Sequence, residues 1–241
     1  MKENYLFGKK SLLDAIENKL PIKVVYLLSD NLPLINLLKV NQISYQFRDK
    51  KFFNSITDNK NNQFIVFTLS KVNTPISFNE LLTKLDAKGT SLVLILDEIQ
   101  DIGNLGAILR SADAFGVDAV IYKKHHQADL LNENVIKTST NAISYLTICE
   151  VVNLNRAVEE LKNHQFWIYA SCLDSDAKVY SSQDYPNKTA IIVGNENKGV
   201  SQLLQKNADI KIFIPQFGHV QSLNVSVATG ILLADYKNRK N

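Results

Sequence analysis

The sequence predicts an α/β protein: a C-terminal domain on a mostly parallel sheet, preceded by a small α/β domain of its own. Three observations carry that expectation. From Ser91 onward, short apolar runs alternate with segments of helical spacing, the pattern of strands joined by crossover helices. Leu92-Val93-Leu94-Ile95-Leu96 is apolar at every position, as in a strand covered on both faces. Ser70-Lys71-Val72-Asn73-Thr74-Pro75 is polar and contains a proline, which marks a boundary between domains. The division expected is therefore 1–70, a linker over 71–90, and 91–241.

In the first domain, Lys10 to Lys19 has Leu12, Leu13 and Ile16 at helical spacing. Val24 to Leu28 is a short apolar strand, Leu32 to Leu38 is helical, and Ile43 to Phe47 alternates like a strand. Gln63 to Thr68 is a further buried strand. In the linker, Ser77 can cap a short helix, Phe78 to Leu85, which Asp86 to Thr90 then breaks. The second domain opens with the strand Leu92 to Leu96, a helix from about Asn104 to Phe115, and a strand Val117 to Tyr122. A weaker helix, Glu133 to Thr138, precedes the strand Leu146 to Val151 and the helix Leu154 to Lys162. Phe166 to Ala170 and Thr189 to Val193 are strands, Ser201 to Lys206 is helical, Ile210 to Ile214 is the last strand, and Val225 to Lys237 the last helix.

The chain has 241 residues, 45% hydrophobic and 21% charged, enough for one or two domains with sizeable cores. No apolar run reaches the roughly 18 residues of a membrane span, and the start, Met1 to Tyr5, has no signal-like apolar core. Cys149 and Cys172 are far apart, which excludes the C-x-x-C spacing of a metal or redox site. Two reduced thiols fit a cytoplasmic protein. His125, His126 and His164 have no second ligand cluster and read as surface residues, so no metal is expected. The net charge of +3 is uneven: residues 1–70 hold 10 Lys/Arg and 6 Asp/Glu, whereas 91–241 hold 14 and 16. Lys9, Lys10, Lys19, Lys23, Arg48, Lys50 and Lys51 suit a phosphate-facing surface, or a merely solvated one.

Three junctions concentrate polar and glycine residues. In Leu96 to Val117, a strand end meets a helix start, where open α/β sheets bind ligands. There Asn104 can cap the helix, Gly106 lets another backbone come close, and Arg110 stands among apolar neighbours. Taken alone, Arg110 reads as an i,i+3 ion pair with Asp113. In Ala190 to Val200, a buried strand runs into a loop with Gly194 and Gly199, which permit close backbone approach to a ligand. Glu196 there reads as a carboxylate near a helix N-terminus. In Ile214 to Ala228, a strand ends at Pro215, Gly218 frees a turn, and Ser222 and Asn224 are both candidates for the next helix cap.

In this order the three stretches resemble the signature motifs of the SpoU/TrmH family of RNA ribose 2′-O-methyltransferases, the third being Ser222-Leu223-Asn224-Val225-Ser226 after Ile214-Pro215. Ile102 departs from the pattern, standing where the family commonly has proline, which implies a slightly different turn and no loss of chemistry. The resemblance implies a C-terminal trefoil knot, with S-adenosylmethionine bound bent between knotted loops against backbone at Gly194, Ile214 and Leu223. It makes Arg110 the catalytic arginine and adds Asn104, Glu196, Ser222 and Asn224 to the catalytic set. It also implies a homodimer with Val225 to Tyr236 in the interface, and RNA as substrate. The opening Tyr5-Leu6-Phe7-Gly8 is similar to the family's N-terminal substrate-binding domain, which resembles small ribosomal proteins. That two-domain layout is most like the enzymes that act on a guanosine of 23S rRNA. The alternatives are a tRNA methylase of the same family and a non-catalytic RNA-binding assembly factor. A dinucleotide oxidoreductase would need a G-x-G-x-x-G turn, and the glycine loop here comes late, at 194–199.

Overall fold

A computed structural model describes residues 5–17, 20–57, 62–69, 74–125, 127–130 and 132–240. Lys19, His126 and the boundary residues Ser70 to Asn73 lie outside the described residues. The chain divides into two compact units, Met1–Val72 and Asn73–Asn241.

The first unit runs β1 (Tyr5–Phe7), α1 (Lys9–Glu17), β2 (Ile22–Leu27), α2 (Leu32–Val40), β3 (Tyr45–Phe47), α3 (Lys50–Thr57) and β4 (Ile65–Leu69). Its sheet has the order β1-β4-β2-β3; β4 is antiparallel to both β1 and β2, and β2 and β3 are parallel. Period-two alternation splits the apolar residues between two faces. Val25, Leu27, Ile65 and Phe67 pack under Leu12 of α1 and Leu34, Ile35 and Leu38 of α2. Val24, Tyr26 and Val66 pack on the other face under Phe52, Phe53 and Ile56 of α3. Asn31 caps α2 by accepting from the Leu34 N–H at 3.2 Å, and Asp49 accepts from the Phe52 N–H at 3.0 Å in the first turn of α3.

The second unit begins with α4 (Phe78–Asp86), β5 (Ser91–Asp97), α5 (Ile102–Ala114), β6 (Ala119–Lys123), α6 (Glu133–Thr138), β7 (Ile148–Val151), α7 (Leu154–Asn163) and β8 (Trp167–Ser171). It continues with β9 (Lys178–Val179), β10 (Lys188–Gly194), α8 (Gln202–Asn207), β11 (Ile210–Phe213) and α9 (Val225–Lys240). Although 71–90 reads as a linker, α4 places Leu81, Leu82 and Leu85 in the core of this unit.

The seven-stranded sheet has the order β7-β6-β5-β10-β8-β11-β9, and its paired strands are parallel. All seven residues of β5 are buried. Val93 and Ile95 of β5, Ile168 of β8 and Ile192 of β10 face α4, α7 and α8, while α5 packs against α6 and α9. Burying each such aliphatic side chain contributes about 1.5–3 kcal/mol. The chain builds β5, β6 and β7 outward in one direction, then β8 on the far side, and returns to insert β10 between β5 and β8. That reversal of direction leaves a crevice at the carboxyl ends of the strands.

Candidate active site

Two strand ends found the site. Asp97 ends β5 and Gly194 ends β10, and they face each other in register. The Asp97 carboxylate is buried and accepts from the Ser201 N–H at 2.7 Å. The Asn195 amide donates to the Glu98 carbonyl at 2.9 Å, while its Oδ1 accepts from the N–H groups of Asn197 at 2.9 Å and Lys198 at 3.2 Å. The loop after β10 is thereby folded onto itself, with the Gly199 N–H donating to the Asn195 carbonyl at 2.8 Å.

This closure explains both glycines of the second motif. A Cβ at Gly194 would lie 2.2 Å from the Gly199 carbonyl carbon and the Val200 nitrogen, so the chain's own backbone fills the space. Gly199 has open space but a φ of +67°, where L side chains are strained. Glu196 sits on this loop, exposed and six residues before α8 begins at Gln202; it is not a helix-terminus carboxylate, as its position in the sequence suggested.

Helix α5 also starts earlier than its sequence suggests. Asp101, not Asn104, is the cap, accepting from the Asn104 N–H at 2.7 Å. Ile102 is then the first helical residue, a position that suits proline equally well. Asn104 falls in the first turn, and its side chain is left to reach outward. Its Nδ2 donates to Glu196 Oε1 at 3.0 Å, and its Oδ1 accepts from Asn224 Nδ2 at 2.8 Å. Asn224 Oδ1 accepts from both the backbone N–H of Ser226, at 2.9 Å, and the Ser226 hydroxyl, at 2.6 Å. The three motifs, separated by 92 and 120 residues along the chain, therefore meet in one chain of hydrogen bonds. Ser226 is its one member that sequence reasoning did not single out; it was legible as the residue two beyond a capping Asn.

A cleft of about 840 Å³ opens beside this chain, within the size range of small-molecule sites. Gly194, Ile214 and Leu223 line it, as do Glu196, Ser222 and Asn224. Cys172 stands in its wall, and burial pushes the thiol pKa up. Lys211, also in the wall, is held between Asp174 at 2.7 Å and Asp176 at 3.0 Å. Hydrogen bonding to Lys211 in turn draws Asp174 below the usual carboxylate value. Gly218, in the turn after Pro215, has no neighbour within 4 Å and no positive φ, so the backbone here does not require glycine.

Arg110 stands apart. It is exposed on α5, makes no ion pair or hydrogen bond among the described residues, and is not in the wall of the cleft. The expected ion pair with Asp113 is absent among the described residues. Gly106 does serve close approach, but to a side chain: a Cβ there would lie 2.6 Å from the Thr138 Cβ of α6. His164 is half-buried and pairs with Asp86 at 2.7 Å instead of facing solvent freely. Among the described residues no group of three His, Cys, Asp or Glu is placed to hold a metal, and no helix is long and apolar enough to cross a membrane.

Residues 91–234 match the model of the SpoU rRNA methylase family, and residues 5–75 match the RNA 2′-O ribose methyltransferase substrate-binding model. The chain belongs to the SpoU rRNA methylase family. An uncharacterized tRNA/rRNA methyltransferase of Mycoplasma pneumoniae is 39% identical over 98% of this chain and 97% of its own length. A solved SpoU-type tRNA modifying enzyme of A. aeolicus is 33% identical, with a TM-score of 0.58, over 68% of this chain and 84% of that one. An AdoMet-bound rRNA methyltransferase of Sinorhizobium meliloti shares the fold, with a TM-score of 0.65 at 23% identity, over 97% of this chain and 86% of that chain. The SpoU family is thus reached twice, by matching sequence and by matching fold.

Proposed function

We propose that this protein is an RNA ribose 2′-O-methyltransferase that uses S-adenosylmethionine, acts on a guanosine of 23S rRNA, and works as a cytoplasmic homodimer. The observation that carries the reading is the convergence of three distant motifs on the rim of one cleft. The cleft suits the cofactor: backbone at Gly194, Ile214 and Leu223 offers hydrogen-bonding edges for an adenosine. When bound, the cofactor supplies an electrophilic methyl group. In this reading the C-terminal chain forms the family's knot, and the loops after β10 and β11 hold the cofactor between them.

A ribose hydroxyl attacks only when its developing negative charge is stabilised and its oxygen is oriented. Arg110 is the group proposed for that task, and its having no partner among the described residues supports it. A guanidinium almost never gives up its proton, so Arg110 holds the phosphate next to the target ribose and stabilises the forming alkoxide, while phosphate or water takes the proton. Ser222, exposed on the cleft, is available to the same substrate. A planar fork grips phosphate in a way that lysine's point charge does not. Arg110→Lys and Arg110→Ala are therefore both expected to lower kcat by about 10²-fold or more, with cofactor affinity unchanged by calorimetry. A lysine variant with full activity at neutral pH sinks the role.

The basic first unit, +4 over residues 1–70 against −2 over 91–241, is proposed to deliver the RNA. The A. aeolicus tRNA modifying enzyme matches only 68% of this chain, which favours the ribosomal reading over a tRNA one. A truncated protein of residues ~76–241, cut at the domain boundary, is expected to keep cofactor binding and lose RNA affinity. RNA binding by the full chain is expected to weaken with salt. Mass spectrometry of ribosomal and transfer RNA, from cells with and without the gene, identifies the methylated nucleotide. The homodimer is proposed on the outer side of α9, where Val227 is exposed, since Val225, Leu232, Leu233 and Tyr236 are buried within the protomer itself; sedimentation tests it.

A further inference from the structure

The chain Glu196–Asn104–Asn224–Ser226 has a fixed direction. At one end a carboxylate can only accept, and at the other a backbone N–H can only donate. Between them stand two amides, each with one accepting oxygen and one donating nitrogen. Only one arrangement satisfies every contact: Asn104 gives its N–H to Glu196 at 3.0 Å and takes one from Asn224 at 2.8 Å, which in turn takes the Ser226 N–H at 2.9 Å. Turning either amide over sets oxygen against oxygen. The links join the loop after β10, the first turn of α5 and the first turn of α9, which no covalent neighbourhood holds together.

We propose that these four side chains act as positioning residues, a relay of fixed polarity that keeps the cofactor loop and the start of α9 in register with α5 during methyl transfer. The proposal rests on the methyltransferase reading above. It reassigns Asn104, Glu196 and Asn224 from contact with reacting atoms to alignment of the groups that make it, and adds Ser226. Arg110 and Ser222, whose polar groups have no partner among the described residues, remain for the substrate.

The test is a compensating exchange in the full chain. Methyl transfer is measured from tritiated S-adenosylmethionine to total RNA from cells lacking the gene. Asn104→Asp sets two carboxylates against each other and is expected to lower kcat by about 10- to 100-fold, the scale of one lost hydrogen bond to a charged group. Glu196→Gln keeps an acceptor for Asn104 and is expected to stay within about 5-fold of wild type, the difference between a hydrogen bond to a charged acceptor and one to a neutral acceptor. The double variant Asn104→Asp with Glu196→Gln reverses that link, glutamine donating to aspartate, and is expected to recover the Glu196→Gln rate. A double variant as slow as Asn104→Asp alone, or Glu196→Gln as slow by itself, overturns the relay. Ser226→Ala is expected to lower kcat about 3- to 10-fold through one lost neutral hydrogen bond, with KM for the cofactor unchanged and Ser226→Thr restoring the rate. Full activity in Ser226→Ala removes that anchor and overturns the four-residue form. If the wild type transfers no methyl group, the proposed function fails while the relay is still read from urea midpoints. Asn104→Asp should then be less stable and the double variant restored; equal midpoints across the cycle overturn it.

Discussion

The two ends of the parallel sheet are held by different chemistry. Where the strands begin, carboxylates with cationic partners take the ladder's first N–H groups. Asp118 accepts from the Leu92 N–H at 2.8 Å and pairs with Lys88; Asp209 accepts from the Ile168 N–H at 2.9 Å and pairs with Lys162 at 2.7 Å. Asp86 gathers His164 at 2.7 Å and Lys188 at 3.0 Å. Where the strands end, the joints of the site are amides and backbone: Asn195 to Glu98, Asn104 to Glu196, Asn224 to Asn104. Ion pairs tolerate loose geometry and respond to salt and pH. Amide links are directional, and charge enters this end only where a carboxylate accepts, at Glu196 and Asp97. One end is suited to stability and the other to alignment.

The sharpest way to break that contrast is at Gly194. Gly194→Ala drives a methyl group into the Gly199–Val200 backbone, and urea denaturation is expected to show a loss of about 3 kcal/mol, at the upper end of single substitutions. An unchanged midpoint means the loop opens easily and the alignment end is not rigid. Loss of cofactor binding in this variant would report loop collapse as much as a blocked site.

At the other end, Asp209→Ala leaves the N–H of fully buried Ile168 without its acceptor. The expected loss is about 1–3 kcal/mol, with the cofactor affinity of the folded protein unchanged. An altered affinity at full stability would show that the ends are coupled.

The pH response separates them further. Hydrogen bonding to Lys188, with His164 adding to it, holds Asp86 below its ordinary value of 3.8. A lowered carboxylate stabilises the fold fully above that ordinary value, and the contribution is lost as pH falls through the folded pKa. Thermal melts of Asp86→Asn against wild type should therefore differ at pH 6 and converge in acid, whereas Asn224→Ala should shift the melt equally at both. The smallest effect is expected from Lys84→Ala, which removes an exposed i,i+4 pair with Glu80 at 2.9 Å: within about 0.5 kcal/mol.

Much of the fold was legible because strands buried on both faces leave uninterrupted apolar runs, as in β5. Helix α3 was not: Phe52, Phe53 and Ile56 are only three apolar residues in eight, and its signal lay in Asp49, three residues before Phe52. Strand β9, two residues long, is too short for any periodicity. At the site, the residues were legible and their partners were not. Asn104 looked like a cap because caps favour Asn, yet Asp101 three residues earlier serves equally well and wins the N–H. Gly194 looked like room for a ligand, and only the folded loop shows that the chain itself occupies the space.

The late arrival of β10 has a consequence for how the protein is made. Synthesis completes β5 some 90 residues before the partner that covers its edge, since Gly194 pairs with Asp97. A ribosome-bound or prematurely terminated chain that stops before residue 188 carries a strand apolar from Leu92 to Leu96 with one side of its hydrogen-bonding ladder bare, the kind of edge that recruits other chains. Such fragments are candidates for chaperone capture or aggregation, and they also lack the Asn224–Asn104 link that spans 120 residues. The site is assembled only once the last helix has left the ribosome, so a shortened product carries no finished active site.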